Sequence, residues 1–203
     1  GVVNYAVGVF NGNGVGGDEN SDKDIAARVS IRPGAKMESD IIKHLSIGGS
    51  LTWGKAESDN VTPFEFRSPG TGTIWNGNTG SAVISSWENN DTVQRLGADL
   101  SWNVGPVSLK AEMSAFKNKV EFNDSDHETF RAKAWYGQVG FWLLGSTRLD
   151  GHRPDIKKPL FGDKGGFGDV QLIGRYASLR MGDTYEEHAG LGGSRSVTEW
   201  SVG

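Results

Sequence analysis

The sequence predicts an all-β fold, an antiparallel β-barrel that crosses a membrane, on three observations. Apolar and polar residues alternate with period 2 along much of the chain, which is the mark of strands that separate two environments. The alternating runs are close to ten residues long, and tryptophans stand at their ends. Runs of that length with terminal aromatics suit a wall between lipid and water. The clearest example is the pair that meets at Asn103-Val104-Gly105-Pro106. On its first run Leu96, Ala98, Leu100 and Trp102 share a face against Arg95, Gly97, Asp99 and Ser101. On its second, Val107, Leu109, Ala111 and Met113 oppose Ser108, Lys110, Glu112 and Ser114.

Eight strands follow from the pattern. The first is Val2 to Phe10, with Tyr5, Val7 and Val9 on one face; a Gly-rich polar loop comes next. The second is Lys23 to Arg32, where Ile25, Ala27, Val29 and Ile31 oppose Arg28, Ser30 and Arg32, and Pro33-Gly34 ends it. The third, Ile42 to Lys55, alternates Leu45, Ile47, Leu51 and Trp53 with Ser46, Gly48, Ser50 and Thr52. The pair at Asn103 supplies the fourth and fifth. The sixth is Arg131 to Leu144, with Trp135, Val139, Phe141 and Leu143 opposite Tyr136, Gln138 and Gly140. The seventh is Asp169 to Arg180, with Leu172 and Tyr176 opposite Gln171 and Arg175, and the eighth starts near Ser194.

Links after strands one, three, five and seven read as long and polar, and those after two and four as short. That asymmetry belongs to outer-membrane barrels; the long link after strand six departs from it. Trp53 and Trp102, at opposite ends of their strands and both on the apolar face, are placed as two interfacial girdles would place them.

Composition narrows the alternatives. Among 203 residues, 36% are hydrophobic, 10% are aromatic, seven are Trp and thirty are Gly. So many aromatics argue against disorder. There is no cysteine, which excludes thiolate metal sites, disulfides and cysteine nucleophiles. The net charge of −4 argues against a nucleic-acid surface. No apolar run reaches the length of a transmembrane helix, so a spanning chain must close its backbone hydrogen bonds as a barrel.

The strings YAVGVFNGNG and SDKDIAARVSIRP resemble the phosphate-selective porin O and P family. LSIGGSLTWGK, RLGADLSWNVGPVSLKAEM, GQVGFWLLGSTR and DVQLIGRYASL are similar to later strands of that family in order. The resemblance implies a trimer of barrels of about sixteen strands, within the size range that leaves an aqueous channel. It implies a bacterial outer membrane as the location and small anions, phosphate among them, as solutes. Residues 1–203 are then expected to be a single barrel domain, an internal portion of it incomplete at both ends, because a half-barrel would leave two bare edges in lipid.

By parity the water-facing set holds Arg28, Arg32, Arg95, Lys110 and Arg175, with Asp99, Glu112 and Glu199. Arg and Lys rows attract anions, and the Arg fork fits two phosphate oxygens. Five basic residues against three acidic ones favour anions slightly. In FEFRSPGTGTIW (Phe64 to Trp75), Arg67 is the candidate for a loop folded into the pore; an outward loop is the alternative.

Other motifs carry no chemistry. Asp18, Asn20, Asp22 and Asp24 echo a calcium loop without its glycine and closing glutamate. Gly165-Gly166-Phe167-Gly168, beside Lys157, Lys158 and Lys164, precedes a strand where a phosphate-cradling loop needs a helix. His44, His127, His152 and His188 are scattered, Glu186-Glu187-His188 reads as a solvated patch, and no catalytic constellation or metal site stands out. The expectation is a non-enzymatic channel without cofactor. The competing readings are a soluble β-sandwich that binds carbohydrate, and a small eight-stranded outer-membrane protein that is not a channel.

Overall fold

The computed structural model describes residues 1–11, 23–55, 65–68, 72–76, 87–88, 92–122, 126–144, 161, 166, 168–183 and 196–203. For 11, 65–68, 72–76, 87–88, 120–122 and 126–128 it describes the backbone alone. The acidic run 18–22, the lysines and glycine at 157, 158, 164 and 165, His152 and residues 186–188 lie outside the described residues.

All described elements are strands: β1 (Val3–Asn11), β2 (Lys23–Ile31), β3 (Leu45–Lys55), β4 (Glu65–Ser68), β5 (Gly72–Asn76), β6 (Trp87–Glu88), β7 (Thr92–Val104), β8 (Val107–Phe122), β9 (Asp126–Leu144), β10 (Val170–Met181) and β11 (Ser196–Val202). Eight of them form one antiparallel meander in the order β1-β2-β3-β7-β8-β9-β10-β11. The short β6 pairs with the far end of β8, Trp87 opposite Phe122. β4 and β5 form a separate two-stranded hairpin. Each of the eight long strands coincides with one read from the sequence, with ends moved by a few residues.

The exception is the β8–β9 hairpin. Its strands run 16 and 19 residues, and only residues 123–125 separate them. The sequence pattern suggests a long link there because Lys117 to Phe130 does not alternate. There the outward positions carry Lys117 and Arg131 while Asn118 and Phe130 are buried on the other face, so the apolar-outward alternation ends although the hydrogen-bond ladder continues. The unusually long link after strand six remains, since residues 145–169 join β9 to β10.

The tight turn is as expected from its residues. Val104 pairs with Val107, leaving a two-residue loop in which Gly105 has φ 52°. Positive φ at the first position followed by the fixed φ of Pro106 is the sign pattern of a type II′ hairpin, which matches strand twist.

Register joins the alternating apolar residues of neighbouring strands on one face. Ile47 faces Leu100, Leu100 faces Ala111, Met113 faces Trp135, and Tyr176 faces Trp200. Nothing among the described residues covers this face: Tyr5 is 83% exposed and Val7 71%. A soluble sandwich would bury the same side chains against a second sheet.

The outline of the apolar band shows what surrounds it. On β3 it runs from Leu45 to Trp53, and on β9 from Trp135 to Leu143, nine residues in each case. Nine residues span about 30 Å along a strand. At a tilt of about 40° they rise about 22 Å, close to the apolar height of an outer-membrane barrel. The band is also slanted. Trp53 lies in the same row as Gln94, Lys117 and Arg131, four residues past the end of the band on β9. Leu45 lies in the row of Trp102, Leu109 and Val139, again four residues short of Leu143. Four residues over three strand spacings is a drop of about 13 Å across about 14 Å, a slope of about 40°. Both borders slope alike, as they must where a flat apolar layer cuts tilted strands.

Interfacial aromatics mark the borders. Trp53 is at the upper end of β3, the end joined to the 56–91 connection. Trp102 is at the lower border and donates its indole N–H to the Ile41 carbonyl at 2.5 Å. Trp135, Tyr176 and Trp200 pack in succession across β9, β10 and β11 in tilted and edge-on contacts, with ring centroids 5.1 and 4.5 Å apart. Rings with one apolar side and one polar tip favour such a boundary.

Candidate functional site: the polar face of the sheet

The opposite face carries the charged residues, and pairing arranges them in rows across the strands. One row is Gly48, Asp99, Glu112, Tyr136, Ala177 and Glu199. The next row down is Ser46, Ser101, Lys110, Gln138, Arg175 and Ser201. The row above contains Arg28, Ser50, Gly97 and Ser114. An acidic row therefore lies between Arg28 above and Lys110 with Arg175 below.

Arg28 and Asp99 close the first gap. Their ion pair measures 2.7 Å, with a second hydrogen bond of 3.0 Å from the other guanidinium nitrogen. Two such bonds are the forked geometry that makes Arg–carboxylate pairs directional. The two residues lie on β2 and β7, with β3 between them. Gly48 makes the crossing possible: a Cβ there would stand 2.5 Å from Asp99 Oδ1 and 2.8 Å from an Arg28 nitrogen. The pair is half-exposed, so its net stabilisation is about 0–1 kcal/mol. Its larger effect is to neutralise Arg28 within this wall.

Arg175 is held differently. Its guanidinium lies 4.1 Å over the ring of Tyr136, a cation–π contact. Its Nε is shielded from solvent and has no hydrogen-bond partner. Arg95 lies 5.6 Å over Phe116, higher on the same face. Below the charged rows, Gln171 donates to Ser108 Oγ at 2.9 Å, a neutral polar patch. The most deeply buried side chains, Asn118 and Phe130, face each other near the upper end of β8 and β9.

Of the expected pore-lining residues, Arg28, Arg95, Lys110 and Arg175 share this face. Arg32 follows the last residue of β2, and its backbone N–H donates to the Val2 carbonyl at 2.7 Å. The backbone of Arg67 lies in β4, opposite Thr73 and beside a register shift; its side chain lies outside the described residues. The water-facing set read from the sequence leaves out three participants. Asp24 joins this face opposite Phe10, which brings the balance to five basic and four acidic residues. Tyr136 and Gly48 join because each touches or clears a charge from another strand, and only register reveals that.

A sheet with one lipid-height apolar face and one charged face is what a porin wall requires. The family model for phosphate-selective porin O and P matches residues 5–203. The chain belongs to this family. Its members are outer-membrane channels rather than enzymes, and the fold described above is a β-barrel panel of that kind. Porin O of Pseudomonas aeruginosa is 30% identical over 90 residues, covering 43% of this chain. The match spans 19% of the length of Porin O, so the chain corresponds to a fraction of that relative.

Proposed function

We propose that the protein is a passive outer-membrane diffusion channel whose wall includes this sheet, with the polar face lining water. The observation that carries the reading is the slanted nine-residue apolar band backed by rows of charge. A lipid boundary on one side leaves an aqueous lumen as the place for the other. Among the described residues β1 and β11 are edges that do not pair with each other. Lipid does not tolerate bare edges, so further strands complete the barrel. The family resemblance supports about sixteen strands and a homotrimer.

The channel favours anions weakly. Asp99 offsets Arg28, whereas Lys110 and Arg175 share a row that contains no acid. That row is the anion-attracting part of the wall, and phosphate-like ions are the solutes that the family's name suggests. Arg175 presents a fork suited to two oxygens and is preset by Tyr136. Arg67 contributes a constriction on the β4–β5 hairpin.

Reversal potentials in a planar bilayer under a salt gradient test the reading. Anion preference is expected, reduced in Lys110→Gln and Arg175→Gln. A clear cation preference of the unaltered protein would overturn it. Unchanged conductance and selectivity in Arg67→Ala would remove the constriction role alone.

A further inference from the structure

The outward face changes character at its upper border. The pleat of β8, β9 and β10 continues above the apolar band, and its outward positions there include Lys117, Arg131, Lys133 and Arg180. Lys117 stands opposite Arg131, and Lys133 opposite Arg180. Like charges directly opposite each other destabilise a sheet. None of the four forms an ion pair among the described residues. The acids with described side chains on the strands, Asp24, Asp99, Glu112 and Glu199, are all on the polar face. In a chain whose net charge is −4, this one-sided cluster is not a product of composition.

Its position says what it meets. Trp135 lies one outward position below Lys133 and begins the row of ring contacts with Tyr176 and Trp200. Such rings sit at the level of lipid headgroups. Cations immediately above them therefore lie where phosphates are. We propose that Lys117, Arg131, Lys133 and Arg180 form an outward-facing site for the phosphate groups of a membrane lipid, with Trp135 as its floor. Basic clusters at a membrane surface gain about 1 kcal/mol per residue from anionic headgroups. Further up, the acids Glu121 and Glu88 stand opposite each other at positions of the same parity, so the cationic cluster is confined to the border where the aromatic rings lie. The site is separate from the pore face, so it does not depend on the ion preference proposed above.

The test is lipid retention by the protein purified in detergent, measured by native mass spectrometry. The probes are lipid A with both phosphates, the same lipid dephosphorylated, and inorganic phosphate as competitor. The bisphosphorylated lipid is expected to bind more than about tenfold tighter than the dephosphorylated one, at about fivefold per charge engaged. Replacing all four residues by Gln is expected to abolish that difference while bilayer conductance stays unchanged. Exchanging Lys and Arg among the four positions is expected to preserve it. Equal retention of the two lipids by the unaltered protein would overturn the proposal without any variant. Displacement of the lipid by millimolar inorganic phosphate would overturn it in favour of a free-anion site. Loss of the oligomer in the Gln variant with lipid retention intact would overturn it in favour of a protein interface.

Discussion

The two faces of this sheet carry charge in opposite ways. On the polar face, basic and acidic side chains are interspersed, and at Arg28 and Asp99 they join across an intervening strand. On the outward face, charge is absent across the apolar band and cationic at its upper border, at Lys117, Arg131, Lys133 and Arg180. The difference follows from what each face must solvate. Water in a lumen accepts both signs, and pairing them across strands limits the field. Lipid accepts neither, and its phosphate surface accepts only cations. Charge sign is therefore as informative as hydrophobicity about what each surface faces.

The strongest way to break the comparison is to place a charge on each face at the same height. Met113→Arg puts a cation in the middle of the apolar band and is expected to destabilise the folded barrel by about 2–4 kcal/mol in denaturant unfolding from vesicles. Its neighbour Ser114→Arg, on the polar face, is expected to cost under about 1 kcal/mol. Equal costs would show that the faces are not lipid and water.

Within the polar face, Asp99→Asn releases Arg28 from its partner. The anion-to-cation permeability ratio is expected to rise about two- to fivefold, the effect of one uncompensated charge near solvent. Arg28→Gln is expected to shift the ratio the other way. Gly48→Ala sharpens this point, since its Cβ would intrude between the two side chains. Their flexible ends can yield, so little stability is lost, and selectivity should move toward that of Asp99→Asn by a smaller factor. The smallest effect is expected at Tyr136→Leu, which removes the stacking of Arg175 at a cost of about 0.5–1 kcal/mol. A thermal melt together with the reversal potential checks both consequences.

Much of the fold was legible in the sequence. Period 2 is a local property, so the faces of β2, β3, β7 and β10 could be assigned residue by residue. So could the turn at Gly105 and Pro106, because few residues accept the backbone that a two-residue hairpin imposes. The upper halves of β8 and β9 were not legible, since their outward positions turn cationic and the apolar-outward alternation ends there. The site was legible only as a set. Parity put Arg28, Arg95, Lys110 and Arg175 on one face but did not say which charges meet.

Sequence alone thus determined the environment of each residue along a strand, because alternation is set by the pleat and needs no partner. Tertiary structure decided everything that depends on the offset between strands. Register brought Arg28 to Asp99 over Gly48, Arg175 onto Tyr136, and Lys117 opposite Arg131. It also turned separate apolar runs into one slanted band. Register is set by hydrogen bonds between strands distant in sequence, as when Leu45 pairs with Trp102, and it brings together side chains 71 residues apart; no local pattern encodes that distance.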